Sequence, residues 1–249
     1  DETIWQMSNS AVQIVWSKKG QHYIAPGVKV NDVAVSPRDN TILYIATEHH
    51  GIWKSENNGW DWFTINTGIP ETHRKVRTLD VDTRISEEGH DRLVMGCTNA
   101  DETDHRVYET TRSGKNWYRK SHSVAFGAEI VDIEIVDVNP DSSDIWLVTY
   151  GDGAWLSRND GTDWENKPFL PEPPDELLTS VTHTNYAAGG EEPWIFASSH
   201  GGGGSFIWDP GQDAFVLRNN GLPGAGSGNV TVDYIRAEPD EFGVLWAGT

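Results

Sequence analysis

The stretch Ser157-Arg158-Asn159-Asp160-Gly161-Thr162-Asp163-Trp164 decides the fold. It places a hydroxyl residue, an amide residue, a glycine and a tryptophan at fixed intervals. Asn and Asp side chains hydrogen-bond to nearby backbone groups, and glycine adopts a positive φ without steric cost. Tryptophan buries a large apolar ring. The stretch therefore predicts a tight hairpin turn that is anchored by a buried aromatic side chain.

The same turn occurs three times along the chain. The stretch from Ser55 to Trp62 matches fully, whereas the stretch from Thr110 to Trp117 carries Arg112 where Asn or Asp is expected. The three tryptophans are 55 and 47 residues apart, a period typical of repeat architectures such as propellers. The residues predicted to build these structural turns are Ser55, Asn57, Gly59, Trp62, Thr110, Gly114, Trp117, Ser157, Asn159, Gly161 and Trp164.

Each turn lies between the third and fourth of four short runs rich in β-branched and aromatic residues, which predicts a four-stranded antiparallel meander. A fourth repeat keeps the strand order but has Asp209-Pro210-Gly211-Gln212-Asp213 in place of the turn, and a fifth begins near Val230. We therefore expect one all-β domain over residues 1–249. Its predicted blades cover residues 30–69, 76–122, 130–170, 177–222, and 229–249 completed by 1–26.

The tryptophan-ended turns resemble the Asp-box, and the chain resembles the Asp-box (BNR repeat) β-propellers over nearly its whole length. That superfamily includes sialidases, xyloglucan-hydrolysing enzymes, the sortilin ectodomain and photosystem assembly factors. The resemblance implies a β-propeller whose boxes are structural turns on the blade periphery. Two closures stay open: a ring of about five blades closed by a clasp between the N- and C-terminal strands, or a fragment of a longer propeller.

Composition and charge narrow the range of partners. Acidic residues outnumber basic ones 38 to 19, giving a formal charge of −19. Nucleic acid and anionic membrane surfaces both require a clustered positive face, so we expect neither as a partner. The acidity reflects either a saline habitat or simply a soluble surface. Cys97 is the single cysteine, which excludes an intrachain disulfide and a cysteine-based zinc site.

In a propeller, the loops that join second to third strands gather at one mouth of the central channel. Candidate binding residues in these loops are His49, His50, Asp101, Asp104, His105, Tyr150, Asp152 and His200. The innermost strands add Asp32, Asp80, Asp132, His183 and Asp233 near the channel, although a one-residue error in register would reverse the direction of their side chains.

Three functions compete for this rim. A glycoside hydrolase would use a pair of carboxylates, Asp152 with Glu48 or Asp104. The arginine cluster and the Phe/Tyr-Arg-Ile/Leu-Pro segment of sialidases are missing from the sequence. A metal site would draw on the histidines, but adjacent side chains such as His49 and His50 point apart in an extended chain. We therefore expect no metal and no cofactor.

The third function is binding. Tyr150, with Trp53, Trp60 and Trp155 nearby, would stack on sugar rings or grip a peptide, although most of the tryptophans are expected in the core. We predict a non-catalytic recognition or assembly module for a protein or carbohydrate ligand, without direct membrane insertion, in an extracellular or cell-surface location. The alternatives are a glycoside hydrolase and an assembly factor for a membrane complex.

Overall fold

A computed structural model gives the structure of the chain. It describes residues 28–82, 89–139, 142–171, 173, 177–184, 193–200, 203–220, 222, 230–237 and 244–248, with residues 138, 139 and 142 as backbone alone. It also describes the backbone of a hairpin formed by β1 (Trp5–Ser10) and β2 (Gln13–Lys18). In the described part, no helix has the length and apolar character needed to cross a membrane.

Successive four-stranded antiparallel sheets follow the hairpin, and each is called a blade. Blade 1 contains β3 (Val30–Val35), β4 (Leu43–Thr47), β5 (Gly51–Ser55) and β6 (Phe63–Thr64). Blade 2 contains β7 (Lys75–Val81), β8 (Leu93–Thr98), β9 (His105–Thr110) and β10 (Tyr118–Arg119). Blade 3 contains β11 (Ile130–Asn139), β12 (Ser142–Thr149), β13 (Ala154–Ser157) and β14 (Glu165–Lys167).

Blade 4 is enlarged by one strand. It consists of β16 (Leu178–His183), β17 (Ile195–Ser199), β18 (Gly204–Asp209) and β19 (Ala214–Leu217), with β15 (Phe169–Leu170) added parallel to β19. A two-stranded sheet of β20 (Tyr234–Ala237) and β21 (Leu245–Gly248) comes last. The predicted all-β architecture of four-stranded blades is confirmed. The blade boundaries and the clasp by the N-terminal strands stay predictions.

Apolar side chains fill the spaces between successive blades. The core between blades 1 and 2 contains Tyr44 and Met95. The core between blades 2 and 3 contains Val107 and Ile133. The core between blades 3 and 4 contains Trp146 and Phe206. The middle strand β8 thus has a neighbouring sheet on both faces, and all six of its residues are buried for this reason. Its near-continuous apolar sequence follows from burial on both faces. All five residues of β4 are buried as well, with Tyr44 facing blade 2 and Ile45 packed beside Val28.

The two complete boxes form the same hydrogen bonds. Ser157 Oγ accepts the Gly161 N–H at 2.8 Å, and Asn159 Oδ1 accepts the Asp163 N–H at 2.8 Å. The equivalent bonds of the first box join Gly59 to Ser55 at 2.8 Å and Asp61 to Asn57 at 2.9 Å. The hydroxyl and the amide therefore satisfy backbone groups of the turn itself, as expected for structural residues.

The turns contain two successive residues with positive φ, where the sequence predicted only the glycine. These are Asn58 and Gly59 at 61° and 78°, Ser113 and Gly114 at 51° and 85°, and Asp160 and Gly161 at 56° and 77°. Hairpin turns with positive φ at both central residues match the twist of the flanking strands and favour Asn and Asp before Gly.

The box that lacks Asn or Asp differs in the bond of its tryptophan. Trp164 Nε1 donates to the carbonyl of Gly161 in its own box at 2.9 Å. Trp117 Nε1 donates instead to the carbonyl of Ile65 in blade 1, at 2.6 Å, and the ring is almost fully buried. The incomplete box therefore contributes a hydrogen bond between blades.

At the inner edge of the propeller, carboxylates join the first strands of neighbouring blades. Asp32 Oδ1 accepts the N–H of the next residue, Val33, at 2.8 Å, and its Oδ2 accepts the Leu79 N–H of blade 2 at 2.9 Å. Val33 and Leu79 hold equivalent positions in β3 and β7. One carboxylate therefore accepts hydrogen bonds from backbone amides at equivalent positions in two blades.

The same bridge recurs around the inner edge. The carboxylates of Asp80 and Asp132 each accept the N–H of their own next residue and an N–H of the following blade, Ile135 at 2.7 Å and Val181 at 3.0 Å. In blade 4 a hydroxyl replaces the carboxylate: Ser180 Oγ accepts the Ile235 N–H at 2.8 Å. The sequence placed the three aspartates near the channel, and the structure shows that they join the first strands of neighbouring blades.

Burial of this edge disfavours the charged form of its carboxylic acids. Burial, reinforced by the charge of Asp132, raises the pKa of Asp32 to about 6. Burial together with the charge of Glu134 raises the pKa of Asp80 well above its ordinary value. The pKa of Asp132 is also raised by burial, although the guanidinium of Arg236, 2.9 Å away, opposes the shift.

Near the boxes, two adjacent residues of blade 2 connect it to both of its neighbours. Asp91 Oδ2 accepts a hydrogen bond from the hydroxyl of Tyr44 in blade 1 at 2.6 Å. Arg92 donates to Ser143 at 2.8 Å and to Asp160 at 2.9 Å, both in blade 3. Asp160, a residue of the third box, therefore takes part in the contact between blades.

The box hydrogen bonds predict a stability difference between two hydroxyl deletions in one turn. Ser157→Ala removes a fully buried acceptor and leaves the Gly161 N–H without its partner, so we expect a loss of about 1–3 kcal/mol. Thr162→Ala removes an exposed hydroxyl from the same turn and is expected to change stability by less than about 0.5 kcal/mol. Urea unfolding measures both, and equal losses would contradict a structural role for Ser157.

The raised pKa of Asp32 predicts a pH-dependent effect of Asp32→Asn. The folded protein holds this proton more tightly than the unfolded chain, because the pKa rises from 3.8 to about 6 on folding. Wild-type stability from this group therefore falls as the pH rises from about 4 to 6. The free energy of unfolding of the wild type minus that of the variant should decrease by up to about 3 kcal/mol over that range.

Asp39→Asn is the control, because its exposed carboxylate has a pKa lowered by hydrogen bonds from Thr41. A lowered pKa affects stability only below about pH 4, because the ordinary pKa is 3.8, so the difference between wild type and this variant should stay nearly constant between pH 4 and 7. Urea unfolding at several pH values between 4 and 7 measures both differences. A difference for Asp32→Asn that stays constant or increases with pH would contradict the assigned pKa.

Candidate functional site

The turns that join second to third strands lie at one end of each blade, beside the start of its first strand. Repeated backbone hydrogen bonds show this. The Glu48 N–H donates to Lys29 O at 3.0 Å, the Tyr150 N–H to Glu129 O at 2.9 Å and the His200 N–H to Leu177 O at 2.9 Å. The boxes occupy the opposite ends of the strands. We call the first end the rim; it carries the predicted binding residues of blades 1 to 4.

Two rim turns are held by the same hydrogen bonds. In blade 1, Thr47 Oγ1 donates to Gly51 O at 2.7 Å and accepts the His50 N–H at 3.1 Å. In blade 3, Thr149 bonds to Gly153 O at 2.9 Å and to the Asp152 N–H at 3.1 Å. His50 and Asp152 thus occupy equivalent positions.

An asparagine in or just after the last strand of the blade, which the sequence analysis missed, holds each of these turns. Asn66 Nδ2 donates to His50 O at 2.9 Å, and Asn166 Nδ2 donates to Asp152 O at 3.0 Å. Asn219 of blade 4 bonds to the Ser205 N–H at 2.8 Å. A signal was present in the sequence, since each asparagine follows the turn glycine by 13 to 15 residues.

Hydrogen bonds engage the three carboxylates considered for hydrolysis. Asp152 Oδ2 accepts the Gly127 N–H at 2.8 Å. Asp104 is paired with the Arg106 guanidinium, whose hydrogen bond lowers the pKa of that carboxyl. Burial raises the pKa of Glu48, but hydrogen bonds from Asn31 and the nearby ammonium groups outweigh it, so its pKa lies below the ordinary value.

Lys75 stands at the centre of an ionic cluster on the rim. Its Nζ lies 3.6 Å from Glu48 Oε1 in blade 1 and 3.8 Å from Glu129 Oε1, just before blade 3, and it also pairs with Glu102 of blade 2. The Lys75 side chain is only 12% exposed. Its pKa is raised, first by the hydrogen bond to Glu102. The sequence analysis did not single out Lys75, Glu102 or Glu129.

The rim histidines fall into different environments. His49 and His50 are exposed, whereas His200 Nδ1 lies 2.7 Å from Asp233 Oδ1. His105 is buried, and burial lowers its pKa. His73, absent from the predicted set, is also buried, with Nε2 3.2 Å from Asp104 Oδ2. Across the described ranges, no three His, Cys, Asp or Glu side chains are arranged to hold a metal ion.

The aromatic residues expected near the rim are divided between the two ends. Tyr150 is half exposed on the rim. Trp155 packs edge-to-face on Phe126 at 5.4 Å, and its Nε1 donates to Asp152 O at 3.0 Å, which supports the rim turn from beneath. Trp60 lies in the first box, at the opposite ends of the strands, and is therefore not close to the rim.

Asp101 is exposed in the loop between β8 and β9.

Comparison with known proteins adds evidence on the fold. No family model matches the sequence, and a search of curated proteins gave no match. Among solved structures, the GH74 xyloglucanase from Xanthomonas campestris matches 87% of this chain with TM-score 0.57 and 16% identity. YCF48 bound to D1 peptide matches 88% with TM-score 0.55 and 14% identity. YCF48 from Cyanidioschyzon merolae matches 78% with TM-score 0.51 and 16% identity.

This chain spans 28% of the xyloglucanase and 60% and 57% of the two YCF48 chains, in the same order. At such identities the likeness establishes the fold alone. Together with the repeated blades and boxes, it identifies the chain as a β-propeller of the Asp-box type.

Proposed function

We propose that the chain is a non-catalytic recognition or assembly module that binds a protein ligand on its rim. The observation that carries the proposal is the cluster around Lys75, in which side chains from two blades and from the segment leading into a third meet at one point. Charged groups fixed by several blades form a preorganised surface, which is what specific recognition requires.

A structural neighbour supports a protein ligand. YCF48 has the same fold and was solved bound to a peptide. The likeness concerns the fold, and propellers carry unrelated functions, so YCF48 supports a protein ligand by analogy. A carbohydrate ligand is the second form of the proposal, with Tyr150, half exposed on the rim, as the aromatic surface.

A glycoside hydrolase is the alternative, since the xyloglucanase shares the fold. A general acid in such an enzyme needs a raised pKa, whereas the pKa values of Glu48 and Asp104 are lowered. Asp152 accepts a backbone N–H, as a residue that stabilises a turn would. These observations favour binding. The assembly of a membrane complex stays a further alternative from the family resemblance.

The proposal includes an extracellular or cell-surface location. Antibody labelling of intact cells, together with detection of the protein in the medium, tests this part. Labelling that requires permeabilised cells, with no protein in the medium, would contradict it.

Selection from a peptide display library on the immobilised protein tests the proposed function. We expect enriched peptides that bind wild type and Thr162→Ala equally but bind Tyr150→Ser at least about tenfold more weakly, as is typical of an aromatic anchor at an interface. Thr162 is the matched control because it lies at the box end of blade 3. Isothermal titration with the selected peptides measures the affinities.

A parallel assay addresses catalysis. The protein is incubated with xyloglucan and a panel of chromogenic glycosides, and we expect no turnover. Turnover that disappears in Asp152→Asn while the variant keeps its thermal stability would overturn the proposal in favour of the hydrolase.

A further inference from the structure

Blade 2 presents a row of three polar side chains across its first three strands at the rim. Lys75 of β7 is paired directly with Thr98 of β8, and Thr98 with His105 of β9. Directly paired residues place their side chains on the same face of a sheet. Thr98 is 1% exposed and His105 is 6% exposed, so the row continues from the partly exposed Lys75 cluster into the interior.

Several buried polar atoms of this row and its surroundings have no hydrogen-bond partner among the described residues. Within the described residues, Thr98 Oγ1, His105 Nδ1 and Glu129 Oε1 are buried and form no hydrogen bond. A buried polar group without a partner is costly, so each such group in a folded protein calls for an explanation. All three atoms can accept a hydrogen bond: Thr98 Oγ1 through hydroxyl lone pairs, His105 Nδ1 in the neutral tautomer protonated at Nε2, and Glu129 Oε1 as a carboxylate oxygen.

The charge balance of the cluster is negative. The carboxylates of Glu48, Glu102 and Glu129 face two ammonium groups, Lys75 and the Lys29 Nζ that lies 3.4 Å from Glu48 Oε2, which leaves one negative charge unbalanced. His105 adds no compensating charge at neutral pH, because burial lowers its pKa below the ordinary value of 6.5. The side chain of Glu102 is 60% exposed and that of Glu129 is 27% exposed, so the unbalanced charge is accessible from solvent.

We propose that the Lys75 cluster binds a basic side chain, the ammonium of a lysine or the guanidinium of an arginine, presented by a protein partner. The incoming cation binds the exposed carboxylate of Glu102 and the partly exposed carboxylate of Glu129. Lys75 is displaced toward Thr98 and His105, whose unpartnered atoms accept its hydrogen bonds. The formal charge of −19 on the chain adds long-range attraction for a basic partner.

This inference rests on the proposed function and specifies its ligand chemistry. An anionic ligand would meet three carboxylates at this place, and a neutral sugar would leave the charge unbalanced. A metal ion is disfavoured, since no set of three suitable ligands is arranged to hold one in the described residues.

NMR titration of the ¹⁵N-labelled protein with N-acetyl-lysine methylamide tests the inference. N-acetyl-norleucine methylamide, which lacks the ammonium group, is the matched probe. We expect saturable shifts of the Thr98, His105 and Glu129 amides with the lysine probe only. The affinity should decrease as salt is added, because ions screen the charges.

Two variants with the lysine probe make the test specific. Glu129→Gln removes one carboxylate of the cluster and should weaken binding by about tenfold, as expected for the loss of a hydrogen bond to a charged group. Glu71→Gln is the control, because Glu71 is an 87% exposed carboxylate four residues before Lys75 and lies 3.6 Å from Arg74. It should bind the probe like wild type.

Lys75→Met gives an independent check, since it removes the competing ammonium and should tighten binding of the lysine probe. Thermal unfolding confirms that each variant is folded, and a Lys75→Met protein that fails to fold leaves the Glu129→Gln comparison to decide. Equal binding of the two probes, no saturable shift, or equal weakening by Glu129→Gln and Glu71→Gln would overturn the inference.

The failures of the two proposals are distinguishable. Rim-dependent peptides without lysine or arginine would leave the proposed function standing and remove the basic side chain from it. Glycoside turnover through Asp152 would remove the proposed function, whatever the lysine titration shows.

Discussion

The structure depends on satisfying the backbone amides at the inner edge of the propeller. The first strand of each blade has one side without a strand partner within its own sheet, and its N–H groups would be buried there without acceptors. Asp32, Asp80 and Asp132 solve this by accepting an amide of their own strand and one of the next blade. Burial raises the pKa of these acids, whereas the hydrogen bonds from the backbone amides lower it, so the bonds between blades partly offset the cost of burying the carboxylates.

The two ends of the blades have different tasks. At one end, the boxes satisfy their own backbone groups, and Asp91 and Arg92 join blade 2 to blades 1 and 3. At the other end, the asparagines and threonines hold the rim turns through backbone atoms, so the side chains of residues such as His50 and Tyr150 remain available for contacts. This separation lets the rim vary in charge and shape without disturbing the fold.

The sequence predicted the features that depend on residues close together in the chain. Hairpin turns, strand alternation and the repeat depend on a few neighbouring residues, so the boxes and the four-stranded blades could be read directly. Ion pairs between blades have no such signal: Lys75, Glu48 and Glu129 are far apart in sequence and meet only because successive rims meet. The direction of Asp32 could not be fixed either, because side chains alternate along a strand and an error of one residue reverses them. Its hydrogen bond to the Leu79 amide settles the direction.

The inner-edge bridge combines a side chain with main chain. Each acceptor is a specific residue of one blade, but each donor is a peptide N–H, which every residue except proline supplies at that position. A duplicated or exchanged blade therefore finds its hydrogen-bond partner in whatever neighbour it meets, without a matching substitution there. Propellers built in this way can gain or lose repeats during evolution one unit at a time, since the rule that joins the units is carried by each unit alone.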